Sequence, residues 1–296
     1  MPALPIIHRD AVPERTVALD ELAFGRRRLG AAAGCLRIGC SLYVVAPGKQ
    51  QMPVHVHGDE EEIFFVLSGD GLSWQDEGTS RVRSGDAIVH RPDRAAHTFL
   101  AGTEGLQLLA FASGSDSGLT WLPRARTLWA GPHWVPVDGP QPFAAEAAVG
   151  PLPPSEPGPR PGNIVAVGEV PPGPLPGGEV RALGAAAGAR QSGLNHVSLP
   201  PGGSGPPPHC HALEEELFIV LDGSGQLRLG DDTHPLRAGD VVSRPPSTGV
   251  CHSIRADQDG MTYLAYGTRV PGDSVYYPHL GQVRLRGLGV TVDVAD

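Results

Sequence analysis

The chain is almost without lysine: among its 296 residues only Lys49 is one, and arginine supplies the other basic side chains. Basic residues do not cluster beyond Arg26-Arg27-Arg28, and the formal charge is −9. An acidic chain without a basic face is a poor ligand for nucleic acid. The arginine run is therefore read as a surface turn or strand edge, and no nucleic-acid partner is expected. No apolar stretch reaches the roughly 18 residues of a membrane span, so no membrane partner is expected. The four cysteines, Cys35, Cys40, Cys210 and Cys251, contain no CxxC pair, which argues against a disulfide framework or a zinc ribbon. The opening Met1-Pro2-Ala3-Leu4-Pro5 has no charged segment leading into a long apolar one. No secretory signal is read there, and a cytoplasmic location is expected. What the chain has instead is 40 glycines and 31 prolines with no three-residue period, so it is not collagenous. Its 40% hydrophobic content excludes disorder, and its length suggests about two domains.

The chain is written twice. Leu29-Gly30-Ala31-Ala32-Ala33-Gly34 recurs 154 residues later as Leu183-Gly184-Ala185-Ala186-Ala187-Gly188. At the same offset His55-Val56-His57 recurs as His209-Cys210-His211, Glu60-Glu61-Glu62 as Glu214-Glu215-Glu216, Gly69 as Gly223, and Gly85-Asp86 as Gly239-Asp240. His97 matches His252 at 155, and Leu109-Ala110-Phe111 then matches Leu264-Ala265-Tyr266. A register held this long marks a tandem duplication. The expected organisation is one domain over 1–135, a Pro-rich connector over 136–162 and a second domain over 163–296. Proline fixes φ and removes donors, so the connector is expected to be extended and semi-rigid.

Within each copy the apolar runs are short. Leu42-Tyr43-Val44-Val45, Ile63-Phe64-Phe65-Val66-Leu67 and Leu106-Gln107-Leu108-Leu109 are punctuated by turns such as Ser84-Gly85-Asp86. No long helical period appears, and many short strands predict an all-β sandwich or barrel. Residues two apart on a strand share a face. His55 and His57 therefore point one way, as do His209 and His211. Glu62 and Glu216 begin the next strand, and His97 and His252 follow the second Gly-Asp turn. Three imidazoles and one carboxylate suit Fe, Mn, Ni, Cu or Zn.

This constellation resembles the cupin superfamily, whose first motif is G-x5-HxH-x3,4-E-x6-G. Gly48 stands six rather than five residues before His55; His55-Val56-His57, Glu62 and Gly69 then fit as written, and His209-Cys210-His211, Glu216 and Gly223 fit identically. The second motif is looser: Gly85, Pro92 and His97 are present, as are Gly239, Pro245 and His252, but its internal glycine and closing Asn are missing. The resemblance implies two tandem double-stranded β-helix (jelly-roll) barrels, a bicupin. It also implies one divalent transition-metal ion per barrel, held by His55, His57, Glu62 and His97 and by His209, His211, Glu216 and His252.

Around these ligands, Phe64 and Phe218 are expected to line the pockets, being two residues beyond each glutamate. Arg91 and Arg244 precede a proline in both copies. They are read either as carboxylate binders for an acidic substrate or as rim arginines paired with the glutamate runs. Glu60, Glu61, Glu214 and Glu215 are read as solvated or outer carboxylates. His8, His90, His133, His196, His234 and His279 have no histidine in the other copy and are read as non-ligating. The expected activity is that of a metal-dependent oxidoreductase of dioxygenase type, with a small organic molecule and dioxygen as partners. The alternatives are an isomerase, decarboxylase, lyase or cyclase, or a non-catalytic binding protein. Gentisate-type dioxygenases, with three histidines and no glutamate, fit less well. Oxalate decarboxylases share the ligand set but are longer, and their lid segment has no convincing counterpart. Either a monomer or a homo-oligomer is compatible with the duplication.

Overall fold

The computed structural model describes residues 6–76, 78–92, 95–113, 118–130, 133–135, 141–153 and 155–294, the stretch 133–135 by its backbone only. The opening residues 1–5 and positions 136–140 and 154 of the connector lie outside the described residues. The chain folds as two β barrels of one topology, each an eight-stranded sheet facing a four-stranded one. In the first barrel the large sheet runs 164–166, 86–90, 62–75, 97–113, 38–45, 22–27 and 15–19, with 78–83 paired to 62–75. The second barrel repeats this order as 6–8, 240–244, 216–229, 252–268, 192–199, 178–181 and 173–175, with 232–237 on 216–229. The small sheets join 133–135, 127–130, 119–122 and 56–57, and likewise 210–211, 274–277, 282–285 and 290–293. Among the described residues no helix is long and apolar enough to cross a membrane.

Each barrel borrows its outermost strand from the other copy. Ile6–His8 pairs with Asp240–Arg244, and Ile164–Ala166 pairs with Asp86–His90. The halves are thus interlaced through backbone hydrogen bonds, which also cover sheet edges that would otherwise be open for pairing.

The run Ile63-Phe64-Phe65-Val66 does not alternate with polar residues because both faces of its strand are buried. Phe64 and Val66 enter the first barrel's core with Phe24, Tyr43, Phe99 and Leu108. Ile63 and Phe65 face outward into a core shared with Leu183, Leu217, Ile219 and Tyr266 of the second copy. Phe111 and Tyr266, matched residues of the repeat, stack there with centroids 5.0 Å apart. The repeated Leu-Gly-Ala-Ala-Ala-Gly is one helical turn in each copy, Leu29–Ala32 and Leu183–Ala186, sealing this interface with Leu29 and Leu183. The glycine that closes the cupin motif also has a geometric cause. Gly69 and Gly223 have φ of 80° and 75°, and a Cβ there would stand 2.2 Å from the carbonyl oxygens of Gly105 and Gly260. Both sit where the long strand shifts register.

The connector departs from the extended form expected of it. Pro142–Val149 is an α-helix, with proline in its first turn and the Gln141 side chain accepting from Phe143 N at 2.9 Å and Ala144 N at 3.2 Å. Proline opens a helix without loss because the first N–H has no intrahelical partner, and the alanines that follow favour the helix. Glu146 anchors it to the first barrel: 2% exposed, it pairs with Arg124 Nη1 at 3.3 Å and accepts from Val54 N at 3.4 Å.

Candidate metal centres

In the first barrel the strands deliver three imidazoles to one carboxylate oxygen. His55 and His97 lie opposite each other on neighbouring segments joined by two backbone hydrogen bonds, of 3.2 and 2.9 Å. His57 is carried by the small sheet, opposite Thr120. Glu62 heads the long strand. Its Oε2 lies 3.4 Å from His55 Nε2, 3.1 Å from His57 Nε2 and 3.0 Å from His97 Nε2. In the second barrel Glu216 Oε2 lies 3.9, 3.5 and 3.1 Å from Nε2 of His209, His211 and His252. All eight ligand candidates are therefore gathered in two groups, one per barrel.

The far side of each ring fixes which nitrogen is free. His55 Nδ1 meets the Pro53 carbonyl at 2.8 Å and His209 Nδ1 meets that of Pro207 at 2.8 Å. A carbonyl only accepts, so Nδ1 carries the proton and Nε2 of the neutral ring presents a lone pair. Lone pairs and a carboxylate then point at one spot, where a shared cation suits them. His57 Nε2, His252 Nε2 and Glu216 Oε2 are moreover buried and, although they lie within 3.1 Å of the opposing ligand candidate, make no hydrogen bond of good geometry among the described residues. Unpartnered buried polar atoms are costly in a protein that does not use them. The donor set thus fits a divalent transition metal in each barrel.

The electrostatics agree. Burial is the largest influence on Glu62 and by itself would raise its pKa, but the three histidines outweigh it and hold the carboxyl well below its usual range. Glu216 behaves alike and falls to about 2. Burial, then the neighbouring His55, takes His97 down to about 4; burial and His252 do the same to His209. Both rings are neutral near pH 7, the state that binds metal. Burial would also lower His57, but Glu62, with Glu60 and Asp59 behind it, lifts it to about 9.

The surroundings of the two centres differ. The first opens into a cavity of ≈ 670 Å³, whose wall includes His55, His57, Glu62, Phe64, Tyr43 and Phe143 of the connector helix. The second has ≈ 10 Å³ beside Cys210, His211, Arg244 and His252, and ≈ 180 Å³ beside Val180, Val197, Phe218 and Tyr263. Phe64 and Phe218 thus line the cavities of their own barrels. Arg244 is 7% exposed, donates to the Val250 carbonyl at 2.6 Å and sits beside Glu216. Arg91 is half-buried and lines none of these cavities. The strand register explains the contrast, because Glu62 faces His90 whereas Glu216 faces Arg244. His90, not Arg91, is the counterpart of Arg244. It lies flat against His97, with centroids 3.6 Å apart.

Two features carried little sequence signal. Asp273, 0% exposed, accepts from His211 Nδ1 at 2.8 Å and from Leu213 N at 2.8 Å, so it orients the ring of a candidate ligand. It matches Gly118 in the repeat, and His57 Nδ1 instead meets Thr120 Oγ1 at 3.0 Å. The second concerns the glutamate triplets. Glu61 and Glu215, read above as solvated or outer carboxylates, are fully buried and cross between the barrels. Glu215 accepts from Leu36 N, Arg37 N and Ile38 N at 2.7, 2.7 and 2.9 Å. Glu61 accepts from Arg190 N, Gln191 N, Ser192 N and Ser192 Oγ at 2.7 to 3.2 Å. Glu214 is also buried, paired with Arg286, and Glu60 is half-buried, 3.4 Å from His57 Nδ1.

Two interlaced jelly-roll barrels, each gathering three histidines and a glutamate, define a duplicated barrel protein of the metal-binding kind. The chain belongs to the cupin family: the cupin domain model matches it twice, at residues 41–111 and 195–265. Protein SchB of Streptomyces halstedii is 35% identical over 123 residues, 41% of this chain and 85% of that protein. Among solved structures, the formate complex of Lactobacillus farciminis oxalate decarboxylase superposes with a TM-score of 0.63 at 17% identity, over 90% of this chain and 87% of that one. Bacillus subtilis oxalate decarboxylase at pH 4.6 superposes with a TM-score of 0.60 at 15% identity, over 88% and 75%. The likeness to these two is one of fold. Neither is a dioxygenase, so the oxidoreductase expectation finds no counterpart among them.

Proposed function

We propose that the chain is a metal-dependent enzyme of the decarboxylase or lyase type, working at the first barrel. The observation that carries this reading is the convergence of His55, His57 and His97 on Glu62 Oε2 at the floor of an open cavity. The decarboxylase chemistry of the fold neighbours favours this class over the dioxygenase one. A divalent ion held there supplies Lewis-acid polarisation of a substrate oxygen. The chain's own residues do the rest. The Pro53 carbonyl and Thr120 Oγ1 fix the rings of His55 and His57 by their Nδ1 atoms. Phe64 and Tyr43 wall the space against water on the barrel side, and Phe143 closes part of it from the connector. Glu60, at the cavity wall and 3.4 Å from His57 Nδ1, is placed to take or return a proton.

The test is metal content by mass spectrometry on protein purified without chelators or a histidine tag, beside Glu62→Gln and Glu216→Gln. About two equivalents per chain, falling to about one in each variant, is the expected result. Stoichiometric metal with dioxygen uptake on turnover would restore the dioxygenase reading. A protein that takes up no metal on reconstitution refutes the enzyme and leaves a binding protein.

A further inference from the structure

The first cavity is cationic on one side, and nothing in the ligand group requires it. Arg15 and Arg26 stand directly opposite each other on the antiparallel strands Arg15–Leu19 and Leu22–Arg27, and Arg28 follows. All three line the cavity that ends at the histidines. Like charges directly opposite on paired strands destabilise a sheet, so such a pair calls for an anion. Among the described residues none of the three forms a salt bridge. Arg27, on the other face of the same strand, by contrast pairs with Asp10 at 3.2 Å and Glu14 at 3.3 Å. Arg26 is held ready: its Nε donates to Ser41 Oγ at 3.0 Å and its Cζ lies 5.3 Å from the centre of the Tyr43 ring. The second barrel supplies the control. Val180 pairs with Val197 as Arg26 pairs with Tyr43, and Gly173 faces Val180 as Arg15 faces Arg26. Ala182 precedes its short helix where Arg28 precedes the first. None of these residues is ionisable, and the space there is ≈ 180 Å³.

We infer that the first cavity binds an organic oxyanion with a ring-sized apolar body, its carboxylate held by Arg15, Arg26 and Arg28 and its body against Tyr43, Phe64 and Phe143. The inference rests on the functional reading above and names its substrate class. Three guanidinium groups and a divalent ion outweigh the carboxylates of Glu60 and Glu62, so the loaded cavity attracts anions although the whole chain is acidic. Guanidinium matches carboxylate in a two-point fork. The volume of ≈ 670 Å³ falls in the roughly 300–1,000 Å³ range of sites for drug-sized ligands and is far beyond what a two-carbon diacid fills.

Calorimetric titration of the protein, after incubation with a divalent metal, with naphthalene-2-carboxylate, its methyl ester and oxalate tests this. The naphthoate is expected to bind at least about tenfold more tightly than the ester. The double change Arg15→Gln with Arg28→Gln, at two exposed positions, should remove that preference without weakening the ester. Arg26→Lys should retain more of it than Arg26→Gln. Equal binding of acid and ester, acid binding indifferent to the arginine changes, or binding of oxalate alone would overturn the inference. Metal analysis of the same samples separates the two readings. Arginine-dependent binding in protein that takes up no metal refutes the enzyme and keeps the anion site. Stoichiometric metal with arginine-independent binding does the reverse.

Discussion

Replacing Glu61 by alanine tests how the barrels are joined. The carboxylate is fully buried and accepts four hydrogen bonds from Arg190, Gln191 and Ser192 across the interface. The Arg190 and Gln191 amides are part-buried and can be rehydrated once the carboxylate is gone. The Ser192 amide and hydroxyl bonds are buried. Two stranded buried donors cost about 1–3 kcal/mol each, and the charge-assisted bonds to the other two amides add to this, for a loss on the order of 3–6 kcal/mol. Glu61→Gln keeps one acceptor but turns an N–H toward amide donors, so it should lose roughly half as much. Because Ile63, Phe65, Leu217 and Ile219 share one core across the interface, the halves should unfold together. At about 2–4 °C per kcal/mol for large units, Glu61→Ala should then melt on the order of 10 °C lower. Thermal and urea unfolding followed by circular dichroism give the answer. A change below about 1 kcal/mol, with a single transition retained, would refute the view that these carboxylates clamp the barrels.

Three further outcomes follow from the same geometry. Asp273→Asn removes the charge behind His211 and should weaken metal binding at the second centre by about 10–100-fold while sparing the first, as read by chelator competition. His57, lifted to about 9, is protonated near pH 7 and must be neutral to bind metal. Metal uptake by the first centre should therefore release about one proton, and affinity should rise roughly tenfold per pH unit until pH passes about 9. Calorimetry in two buffers of different ionisation enthalpy measures this, and a falling affinity with rising pH would contradict it. Gly69→Ala places a Cβ against the Gly105 carbonyl at a φ of 80° and should cost more than about 2 kcal/mol in urea unfolding, far beyond an ordinary surface substitution.

What could be read along the chain was whatever short-range geometry constrains. The duplication was visible because a repeat needs no fold to be seen. His55 with His57 and His209 with His211 were legible as pairs because a strand puts every second side chain on one face. The run Ile63 to Val66 was legible as a strand, though not as one buried on both sides, and Gly69 and Gly223, legible through the motif spacing, stand inside the long strands at register shifts that a side chain forbids. The connector helix at Pro142–Val149 was hidden by the prolines around it, although Phe-Ala-Ala-Glu-Ala-Ala suits a helix. Glu61 and Glu62 show where reading along the chain stops. The same alternation that aims Glu62 into its barrel aims Glu61 out of it, and only the second barrel, with residues 190–192, makes the outside an interior. The exchange of Ile6–His8 and Ile164–Ala166, the placing of Asp273 behind His211, and the gathering of Arg15 with Arg26 across a sheet belong to the same class. Sequence alone determined a duplicated all-β chain and its paired histidines, because spacing within one strand is a covalent fact; the two barrels and the full candidate ligand sets came from the resemblance to cupins. Tertiary structure decided which carboxylates join the halves and which cavity is cationic, because those contacts pair segments with no periodic relation along the chain.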